Sequence, residues 1–308
     1  MRSYIQIMRL DHWIKQLFII PGIITGVLLI ENGDINFSTL SCIIGFFAVS
    51  LIASANYVIN EYLDAEFDKF HPTKKNRAAV INVLNGRVVF SEYLGLAIVG
   101  MLLSLAVGSM FTLSNLVLLL MGVLYNVKPF RLKDVQYFDV LIESVNNMLR
   151  FLLGWFIITE SAFPPVSIVF GYWMGGSFLM AMKRFAEYRM IGDKAIAATY
   201  RKSFAGYTEV SLLVSSFFYA MCSTFFIGIF LVKYKIELIL FIPFVFVFFC
   251  YYVVLSFRTD SAAQKPEKLY KDKFLMAYSL FLFVIFFILL NCNIGFLEIF
   301  QNNSLIRI

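Results

Sequence analysis

The sequence predicts an all-α polytopic membrane protein with nine transmembrane helices. Of the 308 residues, 60% are hydrophobic and only 15% are charged, and the mean hydropathy is +0.79. A soluble domain is usually closer to half apolar, so these values exclude an ordinary soluble domain. The charged residues are also bunched between long apolar runs, which is typical of helices that cross a bilayer. We therefore expect an integral protein of a bacterial-type inner or plasma membrane.

Nine apolar runs are long enough to span a bilayer. The fourth and sixth runs are the shortest, and no low-complexity linker separates any pair, so we expect one transmembrane domain over residues 1–308. The first run lacks a small-residue cleavage site, and we expect no removable signal peptide. In chain order the runs lie near residues 14–31, 38–59, 88–107, 112–126, 139–158, 166–182, 208–231, 237–256 and 274–295.

The positive charges alternate from loop to loop. The N-terminus and four alternate loops (60–87, 127–138, 183–207 and 257–273) hold 22 of the 26 Lys and Arg residues. Cytoplasmic loops of membrane proteins carry an excess of Lys and Arg, so we expect the N-terminus and these loops in the cytoplasm. Nine spans then place the C-terminus outside.

An acidic motif directly follows the second apolar run. Asn60, Asp64 and Asp68 are four residues apart, so on a helix successive side chains turn by only about 40° and share one face. With Glu61 they form a row of oxygen ligands, which suits Mg²⁺ together with the oxygens of a phosphate substrate. The cations that follow, including Lys74 and Arg77, are suited to binding phosphate. The alternative is a solvated loop beside the membrane.

The second cytoplasmic loop is basic and leads into a polar helix. It follows Tyr125 and carries Lys128, Arg131 and Lys133 around Pro129, which favours an anion site, although cytoplasmic loops are commonly basic. Along the next span, polar residues recur every three or four positions. Ionisable groups inside a membrane helix are costly and usually face a cavity or a partner, so these polar residues predict a substrate-binding face. The alternative is a structural network in which the arginine of the stripe pairs with a carboxylate. The stripe includes Asp139, Glu143, Asn147 and Arg150.

The third cytoplasmic loop begins with two cations and a carboxylate. Lys183 and Arg184 lie four and three residues before Glu187, so both can reach the same carboxylate on a helix. Further along, Arg201 and Lys202 precede a serine. Such clusters suit a phosphate group, and they equally suit anionic lipid headgroups.

These motifs together resemble the UbiA superfamily of intramembrane prenyltransferases. Members of that superfamily have nine membrane helices around a central cavity, with one acidic motif after the second helix and another after the sixth. Residues 60–68 are similar to the first motif, with Glu61 where Asp is usual. At the second motif the chain departs from the usual pattern, because Lys183 and Arg184 precede Glu187.

The sequence of this second motif is similar to that of a branch of the superfamily that transfers phosphoribose, the decaprenyl-phosphate phosphoribosyltransferases. Residues 71–74, residues 201–203 and the segment 9–15, which ends at Lys15, also resemble this branch. Residues 129–133 together with Asp139 instead resemble members that prenylate isoprenoids or carotenoids. The added cations are compatible with a donor that carries an additional phosphate.

The resemblance implies a Mg²⁺-dependent transferase that acts on a polyprenyl lipid and a diphosphate-containing donor. It implies catalytic roles for Asp64, Asp68 and Glu187, with the metal held by Asn60, Glu61, Asp64 and Asp68. Phosphoribosyl pyrophosphate with a polyprenyl phosphate is the first reading, and a prenyl diphosphate with an aromatic or isoprenoid acceptor is the second. The expected substrate-binding residues are Lys15, Lys74, Arg77, Tyr125, Lys128, Arg131, Lys133, Asp139, Glu143, Asn147, Arg150, Lys183, Arg184, Arg201 and Lys202.

A reading from another class is a lipid transporter with the polar stripe along its path. The concentration of charge on one membrane face, and the lack of paired broken helices, both favour the enzyme. We expect membrane lipids and no nucleic acid among the partners. The oligomeric state does not follow from the sequence.

Overall fold

The structure, a computed structural model, describes residues 2–30, 38–71, 74–258, 262–264, 269 and 271–300. Over these residues the regular secondary structure is helical, as the sequence predicts. Pro72 and Thr73, which belong to the segment 71–74 singled out above, lie outside the described residues.

The described residues form twelve α-helices, and the long ones follow the predicted apolar runs closely, whereas α1, α4 and α9 lie outside those runs. Short 3₁₀ segments connect them, notably at Leu10–Ile19, Leu132–Asp134, Lys202–Ala205 and Ile236–Phe241. The α-helices are α1 (Arg2–Ile7), α2 (Ile20–Leu29), α3 (Thr39–Asp68), α4 (Ala78–Ile81), α5 (Gly86–Leu105), α6 (Ser109–Asn126), α7 (Phe138–Ile158), α8 (Val166–Ile191), α9 (Lys194–Tyr200), α10 (Glu209–Tyr234), α11 (Ile242–Ser256) and α12 (Lys273–Asn291).

Eight helical segments in the described part of the chain are long and apolar enough to cross a membrane. The protein is thus an integral membrane protein, while the predicted number of nine spans is not confirmed. The sixth predicted run does form a helix, α8, but Gly, Ser, Tyr and Trp residues in its first half lower its hydropathy.

The chain divides into two compact units. The first unit comprises Met1–Pro164 and Ile191–Ser211, and the second comprises Pro165–Met190 and Leu212–Ile308. The expectation of one domain over residues 1–308 stays a prediction.

Helix α7 forms much of the core of the first unit. Most residues of its apolar stretch are buried by protein. It approaches α2 closely through two glycines, one on each helix. A Cβ at Gly154 would lie 1.9 Å from the carbonyl oxygen of Ile19, and one at Gly22 would lie 2.0 Å from that of Phe151. Because α7 is enclosed in this way, its polar side chains meet protein groups.

Helix α3 carries the acidic motif. It begins at the Ser38 cap, whose hydroxyl accepts a hydrogen bond from the Ser41 N–H at 3.5 Å, and it continues past the apolar run to Asp68. Residues 60–68 are therefore helical, which confirms the geometry on which the four-residue spacing depends.

In the second unit, helices α11 and α12 are the least buried of the candidate spans. Only 17% and 6% of the residues in their apolar stretches are buried, so these helices present most of their surface outward. Stretches of exposed Phe, Leu and Val side chains are suited to lipid.

Candidate functional site

The candidate site lies in the first unit, at the end of α3 and beside the α6–α7 loop. Asp64 is its centre. Its Oδ1 accepts hydrogen bonds from Arg131, at 2.9 Å from the Nη2 atom, and from the Lys133 ammonium. Its Oδ2 accepts a hydrogen bond from the Asn60 amide at 3.1 Å. The structure therefore brings together residues from the acidic motif and from the basic loop that follows α6.

Asn126, at the end of α6, links these groups and was not singled out by sequence reasoning. Its Oδ1 accepts hydrogen bonds from Lys133 Nζ at 2.8 Å and from Asn60 Nδ2 at 2.5 Å. Its own amide donates to the Gly122 carbonyl at 2.9 Å. An asparagine next to Tyr125 at the end of a membrane helix was the available signal.

Lys133 is an unusual cation because it is 3% exposed. Burial lowers the pKa of its ammonium to about 8, although the Asp64 carboxylate acts in the opposite direction. Arg131 is 7% exposed and also stacks on the Phe67 ring, with the guanidinium carbon 4.5 Å from the ring centroid. Both cations are held in place and point at the acidic motif.

Two further carboxylates of the motif pair with arginines. The Asp68 Oδ2 accepts from Arg77 Nη1 at 2.7 Å, and the Glu61 Oε1 accepts from Arg9 Nη1 at 2.6 Å. Arg77 also lies 3.2 Å from Glu61. Burial opposes the charge of Arg77, but Glu61 and Asp68 together raise the pKa of its guanidinium above the usual value. Arg9 is thus a second residue that sequence reasoning did not assign to the site.

A small open cavity lies against the motif. Four cations or carboxylates reach it from the α6–α7 loop and from the segment after α9, so the cavity is strongly polar. Its lining residues are Asp64, Phe67, Asp68, Arg131, Lys133, Asp134, Tyr200 and Arg201.

The cavity fits a hard cation that shares its coordination shell with water and phosphate. Asp64 and Asp68 both line it and supply carboxylate oxygens, the ligand type that Mg²⁺ prefers. Within the described residues, no group of three His, Cys, Asp or Glu side chains is placed to enclose a metal ion. Such a site suits Mg²⁺, which usually keeps several waters and binds one or two carboxylates with substrate phosphates. Glu61 is buried against Arg9 and does not line the cavity.

The polar side chains of the stripe on α7 contact other protein groups along the helix. Glu143 accepts from the Tyr125 hydroxyl at 2.9 Å, and that hydroxyl lies 3.3 Å from Arg201 Nη1. Deeper in the helix, Arg150 donates to Gln16 Oε1 at 2.8 Å and to Asn147 Oδ1 at 3.2 Å. These two contacts of the arginine are to amide oxygens, whereas the structural alternative invoked a carboxylate.

Asp139, at the start of the same stripe, is fully buried. Its carboxylate accepts hydrogen bonds from Tyr207 Oη at 2.7 Å and Ser203 Oγ at 3.1 Å, and Arg201 lies at 3.8 Å. Sequence reasoning did not single out Tyr207, which lies 68 residues from Asp139 along the chain.

The other predicted cations differ in their surroundings. Lys74 contacts the Tyr200 hydroxyl and lies 4.5 Å from the centroid of that ring, so it adjoins a cavity residue. Lys15 lies 3.1 Å from His12 Nδ1. Lys128 and Lys202 are exposed.

The second predicted motif lies on α8, in the second unit. Arg184 and Glu187 are both buried, and Arg184 Nη1 lies 3.4 Å from Glu187 Oε2. Lys183 is partly exposed. The pairing within this motif follows the three-residue spacing that the sequence predicts.

Comparison with known proteins places the chain in a family. Residues 19–285 match the model of the UbiA prenyltransferase family. The chain is 30% identical over 167 residues to an uncharacterized protein of Sinorhizobium fredii, covering 53% of this chain and 30% of that protein. It is 27% identical over 210 residues to the decaprenyl-phosphate phosphoribosyltransferase of Mycolicibacterium smegmatis, covering 67% of this chain and 62% of that protein. The chain therefore spans less than two thirds of the length of both relatives.

Solved structures agree with this assignment at the level of the fold. A UbiA homolog from Archaeoglobus fulgidus bound to GPP and Mg²⁺ aligns with a TM-score of 0.68 at 17% identity, covering 91% of this chain and 99% of that one. A structure of digeranylgeranylglyceryl phosphate synthase aligns with a TM-score of 0.60 at 18% identity, covering 94% and 95%. With the family model matching most of its length, the chain belongs to the UbiA prenyltransferase family.

Proposed function

We propose that the protein is a Mg²⁺-dependent transferase that moves 5-phosphoribose from phosphoribosyl pyrophosphate to a polyprenyl phosphate and releases diphosphate. The observation that carries this proposal is the cavity in which Asp64 and Asp68 face Arg131, Lys133 and Arg201. Carboxylates and cations on one small polar surface suit a metal-bound diphosphate.

Asp64 and Asp68 would hold the metal ion, and Asn60 would orient Asp64 through its amide. Bound Mg²⁺ would neutralise the negative charge that develops on the leaving diphosphate. The cations of the α6–α7 loop and Arg201 bind phosphate oxygens through charge-assisted hydrogen bonds. The attacking phosphate oxygen of the acceptor is already an anion, so no side chain has to remove a proton from it.

Two observations favour phosphoribose as the transferred group. Proteins named decaprenyl-phosphate phosphoribosyltransferase are 22–27% identical to this chain. Lys183 and Arg184 also stand where the superfamily usually has acidic residues, which fits a donor with a further phosphate. Glu187, the carboxylate of that motif, would orient Arg184, its partner at 3.4 Å.

The second candidate is transfer of a prenyl group from a prenyl diphosphate to an aromatic or isoprenoid acceptor. It is supported by the similarity of the fold to UbiA homologs whose structures contain GPP or DMAPP together with Mg²⁺. The same carboxylates and cations would hold the diphosphate of that donor.

A labelling assay separates the two candidates. Purified protein is incubated with Mg²⁺ and either ribose-labelled phosphoribosyl pyrophosphate plus a polyprenyl phosphate, or a labelled prenyl diphosphate plus an acceptor. We expect ribose label in the lipid fraction, with loss of the signal on chelation of Mg²⁺. If only the prenyl diphosphate gives labelled product, the second candidate replaces the first proposal.

A matched pair of variants links the activity to the cavity. Asp64→Asn removes a cavity carboxylate, whereas Glu66→Gln removes an exposed carboxylate from the same turn of α3. The proposal requires transfer to be lost in Asp64→Asn and retained in Glu66→Gln. Equal activity in the two variants would contradict it.

A further inference from the structure

The α6–α7 loop, residues 127–137, contains backbone that ordinary side chains rarely adopt. Arg131 has a φ of 33° and Tyr137 has a φ of 65°, and neither is glycine. Positive φ values in large side chains persist only where the surrounding structure imposes them. The loop therefore needs fixed partners to hold its shape.

Tyr207 supplies such a partner to Tyr137. Its hydroxyl accepts a hydrogen bond from the Tyr137 backbone N–H at 2.7 Å and donates one to Asp139 Oδ1 at 2.7 Å. The two tyrosine rings also pack edge to face, with centroids 5.4 Å apart. Ser203 donates to the second Asp139 oxygen at 3.1 Å, so that carboxylate is engaged on both sides.

The position of this loop determines where the site cations lie. Arg131 and Lys133 reach Asp64 from the middle of the loop, and Tyr137 is the residue at which the loop enters α7. Asp139 is 0% exposed and does not line the cavity, so it has no free surface for a substrate.

We propose that Asp139 and Tyr207 are positioning residues, which clamp the strained end of the loop and so hold Arg131 and Lys133 against the acidic motif. This role replaces substrate binding by Asp139. The effect of this clamp on catalysis rests on the proposed function, in which Arg131 and Lys133 bind phosphate. The clamp itself is a property of the folded loop and is testable without any substrate.

The first test uses trypsin, which cleaves after exposed Arg and Lys. In the native protein the bonds after Arg131 and Lys133 are shielded, since these side chains are 7% and 3% exposed. Tyr207→Phe keeps the ring and removes only the hydroxyl. We expect cleavage at these two bonds to become about tenfold faster, the equivalent of one lost hydrogen bond. The matched control is Tyr252→Phe, another buried tyrosine, which should leave the loop protected.

The second test is a rescue. Glycine adopts positive φ without steric cost, so Tyr137→Gly removes the backbone strain at position 137. The loop then no longer needs the Tyr207 hydroxyl to hold that backbone conformation. We expect Tyr207→Phe to lower kcat/KM about tenfold, mainly through a higher KM for the phosphorylated donor. The double variant Tyr137→Gly/Tyr207→Phe should regain most of this loss and most of the protection from trypsin. A residue that only packs, or that binds substrate directly, gives no such rescue.

The outcomes are distinguishable. If Tyr207→Phe leaves the trypsin pattern unchanged, the clamp is overturned whatever the activity shows. If the native protein transfers no phosphoribose but the loop opens and is rescued, the clamp stands and the proposed function fails. Should Tyr207→Phe not accumulate as folded protein, the double variant decides, because its folding supports the clamp and its failure to fold overturns it.

Discussion

At the scale of single residues, Asp64 shows what a four-residue spacing does and does not predict. The spacing from Asn60 correctly predicts a helix and a shared face, and the two side chains are hydrogen-bonded at 3.1 Å. The contacts with Arg131 and Lys133 cross 67 and 69 residues of chain and depend on how α3 and α6 pack. No local pattern specifies such a pairing, because Lys and Arg are common in every cytoplasmic loop.

Removal of either cavity carboxylate should abolish turnover and also lower stability. Asp64→Asn leaves Arg131 and Lys133 buried with one fewer carboxylate, and Asp68→Asn removes one of the two carboxylates beside the partly exposed Arg77. Loss of a partner for a buried charge costs about 1–3 kcal/mol in the free energy of unfolding. Thermal unfolding and transfer activity, measured on the same preparations, check both effects. Unchanged activity in either variant would remove that residue from the site, and Glu66→Gln provides the baseline.

The α8 motif allows a prediction that separates its two cations. Lys183 is partly exposed, so Lys183→Ala should mainly raise KM for the phosphorylated donor, by about tenfold. Arg184 is buried against Glu187, so Arg184→Ala and Glu187→Ala should each cost about 3–5 kcal/mol of stability. Steady-state kinetics and thermal unfolding distinguish the two effects. Equal loss of stability in all three variants would assign Lys183 a structural role as well.

At the scale of elements, the apolar runs predict the helices well because hydropathy is a local property. Helices α5, α6 and α7 lie within a few residues of the runs at 88–107, 112–126 and 139–158. The close approaches between them are less predictable, since they depend on which glycine faces which neighbour. Gly122 is an example: a Cβ there would lie 2.0 Å from Asn56 Oδ1, on α3.

Gly122→Ala should therefore displace the Asn56 side chain, whose amide donates to the Leu118 carbonyl of α6 at 2.9 Å, and so loosen the contact between α3 and α6 near the site. Overpacking of this kind typically costs about 1–3 kcal/mol. Gly95→Ala is the matched control, because a Cβ at Gly95 on α5 meets nothing within 4 Å. We expect that variant to be unchanged or up to about 1 kcal/mol more stable, from helix propensity. Thermal unfolding and kcat/KM of the two variants should diverge, and parallel behaviour would show that the α3–α6 contact is not tight.

At the scale of the whole molecule, the charge bias predicts which side of the membrane holds the site. The N-terminus and four alternate loops carry 22 of the 26 basic residues, so the bias assigns the acidic motif and its cavity to the cytoplasm. This orientation would give the site access to a soluble phosphorylated donor. The predicted position of the C-terminus depends on α8 crossing the membrane, since an odd or even number of spans determines the side on which it lies.

Cysteine labelling tests that crossing directly. In a background with Cys42, Cys222, Cys250 and Cys292 replaced by serine, single cysteines are introduced at exposed positions on either side of α8. Ala162→Cys precedes the helix and Lys194→Cys follows it, while Lys75→Cys marks the loop after α3. An impermeant thiol reagent applied to intact cells should label the cysteine at 162 and leave those at 75 and 194 unlabelled until the membrane is opened.

Labelling at 75 and 194 but not at 162 would reverse the orientation. Equal labelling at 162 and 194 would show that α8 does not cross, as its low hydropathy allows. Eight crossings would then place both termini on one side of the membrane.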